Sequence, residues 1–424
     1  MRPAWFSRPT WMPWSRAMAS AAQATIAARA NGRFGTCRDG GCDIRAGLAK
    51  RRTVYRKPVA VPWKGGAGIV PRMSAYLLLA SELYSLPVLR PVAAAAQAAG
   101  HRVGWLCAAP LAARLGPGEV RIADRAALAA FAADATFSTV HRIPPQLPGK
   151  QVQLFHGLNI DKRDDGGRGH FRIRDLFDLY CTHGPATTPR FAALAREHGD
   201  FAVAETGWPK LDPLFAPAAG RPTLRDAAGG RPVVMVASTF TRSLSAAPAL
   251  LSVLPELIAR GDRYWLLTLH PKCPPPLFDA YRALAGAHAR FLESPDVVDM
   301  LRAADVLVCD TSSVIEECVL LDKPVVTLRT RRPQPYLLDV QAPEQVDAAI
   351  DAALAQPPAQ MQAAREYGAR IHPSRDGHAA QRVVAATERL LEGGFGPLRS
   401  RPAHPWRRWR ARSTMRALFE PGLS

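Results

Sequence analysis

No stretch of this chain holds the roughly 18 uncharged apolar residues that suggest a membrane-spanning helix. The longest charge-free part of its N-terminal tail, 17–28, is short and Ala-rich. Paired C-x-x-C spacing is also missing. The seven cysteines lie scattered at 37, 42, 107, 181, 273, 309 and 318. Their odd count and spacing argue against a disulfide framework or a zinc finger, and point to reduced thiols in a cytoplasmic setting. The chain lacks a P-loop, a G-x-G-x-x-G, a G-x-S-x-G and a metal-binding D-x-D. Pyrophosphate charge would therefore have to be met by side chains and helix ends, with no metal and no cofactor expected. Acid is scarce at both ends: residues 1–72 hold 14 Lys/Arg against 2 Asp/Glu, and residues 393–424 hold 7 against 1. Subtracting those balances of +12 and +6 from the net +19 leaves +1 for residues 73–392. A neutral middle between basic ends excludes a fold whose grooves are lined for nucleic acid.

What is present reads as α/β. At 424 residues, 48% hydrophobic and 21% charged, the chain is long enough for two domains with separate cores. Residues 1–72 show no sustained periodicity. They are expected to be disordered, or a misassigned extension with translation starting at Met73; an Arg-rich transit peptide and a basic membrane-adhering arm are the other readings. From 73 to 215, apolar strands at 74–80, 103–107, 135–140, 151–155, 176–182 and 201–204 alternate with helices at 89–99, 123–133 and 189–197. This pattern predicts an open parallel sheet. A Pro/Gly-rich linker is expected at 216–232. A second such domain follows at 233–374, with strands at 233–237, 264–269, 291, 306–309 and 325–328. Its helices are expected at 246–259, 278–287, 296–303, 343–355 and 358–367. A last helix at 375–391 is expected to cross back to the first domain. The tail 393–424 interleaves Trp with Arg, which suits an anionic membrane surface or a solvated end.

Residues 303–327 carry the densest signal. The run Val306-Leu-Val-Cys309 leads into Asp310-Thr-Ser-Ser313, then into a short helix and a second apolar strand. A helix start rich in hydroxyls exposes unpaired N–H groups and the positive dipole end, which suits a phosphate. In the first domain, His156 follows an apolar strand and precedes Gly157, which is expected to allow the tight turn. A charged run with Asn159, Asp161, Lys162 and Arg163 comes next. The strand ends of the two sheets are expected to gather His156, Asp161, Thr206, Thr239, Arg242, His270, Lys272, Ser312, Ser313 and Glu317 across a shared cleft. Cations and hydroxyls in that set suit a phosphate, and imidazoles suit proton transfer near neutral pH.

Six short motifs occur in one order: Gln153-Leu-Phe-His-Gly157, Thr206-Gly-Trp-Pro-Lys-Leu-Asp212, Ala237-Ser-Thr-Phe240, Leu269-His-Pro-Lys272, Asp310-Thr-Ser-Ser313 with Glu317, and Leu321-Asp-Lys-Pro324. Over residues 74–390 the chain resembles the CDP-glycerol glycerophosphotransferase family, which builds teichoic-acid-type polymers. The resemblance implies a GT-B-like fold of two Rossmann-like domains, the nucleotide held mainly by the second. It implies that His156 is the general base for an acceptor hydroxyl and that His270 lies near the pyrophosphate. Ser312 and Ser313 would hold the diphosphate and Glu317 would contact the ribose. Thr311, Thr239, Arg242 and Lys272 complete the expected nucleotide side. Asp161, Lys162, Arg163, Thr206 and Lys210 are expected on the acceptor side. Leu158-Asn159 replaces the family's Thr-Pro, and Thr311 replaces its usual Tyr; these differences bear on the acceptor more than on the nucleotide. The implied reaction moves glycerol phosphate from CDP-glycerol to a hydroxyl of an envelope glycan, lipid or polyol phosphate and releases CMP. The implied location is cytoplasmic, peripheral on the inner face of the membrane. The residues also admit a transferase with another nucleotide donor, a nucleotide-sugar epimerase of the same fold, or a non-catalytic nucleotide-binding subunit.

Overall fold

The computed structural model describes residues 73–158, 170–216, 224–293, 297–401 and 418–419. The expectations for residues 1–72, for Asp161, Lys162 and Arg163, and for most of the tail beyond 401 lie outside the described residues. The described residues belong to one compact unit, Val70–Ser424.

Two parallel sheets carry the fold. The first contains β1 (Ala75–Ala80), β2 (Arg102–Cys107), β3 (Ala135–Ser138), β4 (Lys150–Gln153), β5 (Leu179–Thr182) and β6 (Ala202–Glu205), in the order β2-β1-β3-β4-β5-β6. The second contains β7 (Val233–Ser238), β8 (Tyr264–Leu269), β9 (Ala289–Phe291), β10 (Val306–Cys309), β11 (Val325–Leu328) and β12 (Leu337–Val340), in the order β12-β11-β10-β7-β8-β9. Every β1 and β7 residue is buried, as expected for central parallel strands with helices on both faces. Strand order reverses between β1 and β3 in one sheet and between β7 and β10 in the other. Open α/β sheets bind ligands at such reversals, outside the carboxyl ends of the strands.

Several expectations are corrected. The helix anticipated over 246–259 is two pieces, Ala247–Leu250 and Leu254–Ala259. Pro255 has no N–H to donate to the Leu251 carbonyl, so the helix breaks and restarts with Pro in its first turn. The helix expected at 278–287 runs Pro275–Arg282 instead, using its prolines as N-terminal residues. Strand β12 was not anticipated: it is only half-buried and includes Asp339, and its parallel pairing with β11 creates it. Just ahead of the expected linker Asp212–Phe215 forms a short helix, and within the linker Asp226–Ala228 forms a 3-10 turn, while residues 217–223 lie outside the described residues.

The last helix is Ala379–Leu391, starting later than expected. It packs against the Leu86–Ala98 helix of the first sheet, and His101 Nε2 meets Glu388 Oε1 at 2.9 Å. Its N-terminus is capped from 167 residues away. The Asp212 carboxylate accepts the backbone N–H groups of Ala379 at 2.9 Å and Ala380 at 2.7 Å. Both donors are buried and are helix-start N–H groups that the helix itself cannot satisfy. Asp212→Ala is expected to cost about 1–2 kcal/mol, read as a lower urea midpoint at unchanged slope; an unchanged midpoint would show that the cap is not needed.

Candidate functional site

At the carboxyl edge of the first sheet, β4 ends at Gln153 and the chain turns at Phe155, whose φ is +59°. The left-handed residue is therefore Phe155, and not Gly157 as the sequence suggested. A bulky aromatic in this region is strained, and such strain persists only where surrounding structure fixes it. Here the ring is buried against Tyr180, His183 and Phe191, and the Trp208 indole N–H donates to the Phe155 carbonyl at 3.4 Å. The strained turn puts His156 on the surface. Its Nδ1 lies 3.4 Å from the Thr139 carbonyl. A carbonyl only accepts, so Nδ1 carries the proton and Nε2 is the basic nitrogen. Tyr84 and His141 flank the ring, each 5.4 Å away between centroids.

The neighbouring imidazoles have a different character. Burial holds His141 at about 3, aided by the charge of Arg174. Burial also holds His170 at about 4 and His183 at about 3. They are neutral packing groups around Phe155, with His156 as the exposed one.

At the second reversal, Asp310 is fully buried and organises the loop after β7. Its carboxylate accepts from Ser238 Oγ at 2.5 Å, from the Thr239 N–H at 3.0 Å and from the Ala246 N–H at 3.1 Å. Burial raises its pKa, and these donors oppose the rise. Asp310 is thus a clamp between β10 and the β7 loop and not a ligand group. Ser313 is exposed and Thr311 and Ser312 are half-buried ahead of the Val314–Val319 helix. Ser313 precedes that helix yet makes no side-chain capping bond. Thr311 Oγ1 accepts the Arg331 N–H at 3.2 Å, and the Arg331 guanidinium reaches Ser243 Oγ at 3.4 Å. Arg331, which motif reading missed because it lies beyond every motif, ties together the loops after β7, β10 and β11.

His270, at the end of β8, is exposed and packs on Phe240 with ring centroids 4.4 Å apart. The Lys272 N–H donates to its Nδ1 at 3.1 Å. Nδ1 is therefore the acceptor and Nε2 carries the proton. Partial burial and the Lys272 charge lower its pKa and keep it neutral. Lys272 Nζ stands 5.6 Å from the Phe240 ring centroid, and Arg242 is exposed nearby on the β7 loop. The two exposed imidazoles thus have opposite tautomers, the proton on Nδ1 in His156 and on Nε2 in His270.

The segment 206–212, expected partly on the acceptor side, is the joint between the sheets. Thr206 is buried, with its hydroxyl on the Gly207 carbonyl and its own carbonyl taken by Arg382 Nε at 2.7 Å. Gly207 has φ +78°, and a Cβ there would meet His372 Nε2 at 2.8 Å. The Trp208 N–H donates to that same nitrogen at 2.8 Å. Lys210 ion-pairs with the buried Glu317 and stands 5.2 Å from the Trp208 ring centroid. Glu317 lies one helical turn beyond Ser313. A continuous path therefore runs from the His156 turn through Trp208 and Lys210 to the second-sheet helix. Among the described residues no group of three or more His, Cys, Asp or Glu is placed to hold a metal ion. No helix among them is long and apolar enough to cross a membrane. The five described cysteines are unpaired and buried.

Residues 192–388, just under half the chain, match the family described as UDP-N-acetylglucosamine 2-epimerase. A search of curated proteins finds no match. Solved structures share the fold. The S. aureus MnaA–UDP co-structure aligns at a TM-score of 0.54 and 13% identity, covering 78% of this chain and 100% of that one. A UDP-N-acetylglucosamine 2-epimerase aligns at 0.52 and 13%, covering 78% and 100%. The wall teichoic acid polymerase TagF aligns at 0.54 and 14%, covering 76% and 90%. The architecture is GT-B-like, as the sequence predicted: two parallel sheets with helices, the second gaining β12 as a sixth strand that was not anticipated.

Proposed function

We propose that this chain is a GT-B transferase that moves glycerol phosphate from CDP-glycerol to a hydroxyl of a cell-envelope glycan or lipid, releasing CMP. The observation that carries this reading is the pair of exposed imidazoles, one on each sheet's carboxyl edge, in complementary tautomers. Similarity of fold to TagF, which has also been solved after soaking with CDPG, supports it.

His156 Nε2 takes the proton of the acceptor hydroxyl as its oxygen attacks the glycerol-bearing phosphorus. The new P–O bond forms as the bond to CMP breaks, and CMP leaves with the electron pair. His270 Nε2–H donates to the departing oxygens. The hydroxyls of Ser312 and Ser313, Thr311 and Thr239, and the charges of Lys272 and Arg242 hold the diphosphate. In this reading Glu317 exchanges Lys210 for a ribose hydroxyl. The anionic membrane surface and the acceptor-side Asp161, Lys162 and Arg163 remain part of the proposal.

Ser313→Ala is expected to weaken CDP-glycerol binding about ten- to a hundredfold, as loss of one hydrogen bond to a charged group does. Calorimetry showing unchanged affinity would remove Ser313 from the nucleotide site. The decisive experiment offers CDP-glycerol, CDP-ribitol and nucleotide sugars with envelope-lipid acceptors and reads nucleotide release. CMP release that requires both CDP-glycerol and an acceptor is the expected result; release from the other donors only would overturn the donor assignment.

The family match over residues 192–388 favours a second reading, a UDP-N-acetylglucosamine 2-epimerase. That enzyme would convert its UDP-sugar with no acceptor and no net nucleotide release, so the same panel separates the two.

A further inference from the structure

The mechanism leaves unused the turn that follows β1, at the first sheet's strand reversal. Leu83 is 51% exposed and Tyr84 44%, adjacent large apolar side chains on the 3-10 turn Leu83–Ser85. The other exposed large apolar side chains among the described residues, Met73, Val120 and Phe240, stand singly in the sequence, so this adjacent pair stands out. The turn is fixed rather than loose: the buried Ser85 Oγ bonds Thr139 Oγ1 at 2.8 Å, and Thr139 also supplies the carbonyl beside His156. One residue thus positions both the Tyr84 ring and the His156 imidazole, whose centroids lie 5.4 Å apart. The exposed Glu82 carboxylate precedes them on the same turn.

We infer that Leu83, Tyr84 and Glu82 form the acceptor subsite, and that its ligand is a neutral sugar ring stacked on Tyr84 with a hydroxyl presented to His156. The inference rests on the transferase reading and narrows its acceptor. An exposed aromatic face beside an apolar side chain suits the C–H face of a pyranose, and an amphipathic tyrosine is at home where one side is apolar and the other wet. A carboxylate accepts hydrogen bonds from sugar hydroxyls but repels a phosphate. Glu82 therefore argues against a terminal polyol phosphate at this position.

The test is saturation-transfer NMR on the full chain with methyl β-glucopyranoside, whose ring faces carry only axial C–H, and with glycerol 1-phosphate as a ring-free anion. Ring-proton saturation is expected in the wild type. It should fall about two- to tenfold in Tyr84→Ala and persist in Tyr84→Phe, with thermal melting unchanged because the side chain is exposed. Equal saturation in Tyr84→Ala, no saturation in the wild type, or displacement of the glycoside by equimolar glycerol 1-phosphate would overturn the inference. The two readings fail separately. CMP release from CDP-glycerol with Tyr84→Ala saturation unmoved sinks only the sugar subsite; glycoside saturation that needs Tyr84, with no nucleotide released from any donor, sinks only the transferase.

Discussion

If the proposed transfer is correct, replacing His156 by alanine or asparagine is expected to lower turnover about 10²- to 10⁴-fold, the usual contribution of a general base. Asparagine is the sharper probe. Its side-chain N–H can still donate to the Thr139 carbonyl that now holds Nδ1, but nothing replaces the basic Nε2. Because His156 is exposed, neither variant opens a cavity, and melting should be unchanged. The loss belongs in the chemical step. Single-turnover release of CMP should slow while CDP-glycerol affinity by calorimetry holds, since the nucleotide is assigned to the second sheet. Near-normal release in the asparagine variant would show that another group takes the proton, and the reading of complementary tautomers would fail with it.

Acid should unfold this protein well above the range where carboxylates titrate. Burial holds His141 and His183 near 3 and His170 and His372 near 4, whereas the unfolded chain protonates histidine near 6.5. Above that value both states are neutral and the imidazoles contribute nothing. Below it the unfolded state binds protons that the folded state refuses, so stability falls with falling pH until about 3 to 4, where the loss levels off. At pH 5 each buried imidazole costs on the order of 2 kcal/mol. Asp212 and Asp310, raised by burial, act in the opposite sense: they favour the folded state as pH falls towards their pKa values. The histidines outnumber them and begin to act at higher pH. Urea midpoints at pH 7.5 and pH 5 measure the net effect. His183→Gln should flatten the dependence, and equal midpoints for the wild type would mean that these imidazoles are not buried neutral.

Short strands bounded by turn residues were legible in the sequence. Tyr264–Leu269, Val306–Cys309 and Val325–Leu328 fall where short runs rich in apolar residues predict them, because a central parallel strand must be apolar on both faces. Strand β12 was not legible, since a half-buried edge owes its conformation to its neighbour. The motif 206–212 was visible as a motif, but its role was not. Asp212 looks like any turn carboxylate until a helix start 167 residues later is seen resting on it. His156 and His270 were both singled out as candidates, and both lie exposed at a strand end, yet sequence treats all histidines alike. The difference between these two and the neutral packing imidazoles at 141, 170 and 183 depends on burial.

The sequence by itself determined two parallel α/β sheets and the order of their polar corners, because hydrophobic period and turn chemistry are local. Only the tertiary structure decided which nitrogen of each exposed imidazole is basic, that Asp310 is a clamp, and that Phe155 bears the strained turn. Those properties depend on which carbonyl, N–H or ring lies within a few ångströms across the fold, and chain spacing does not encode that distance.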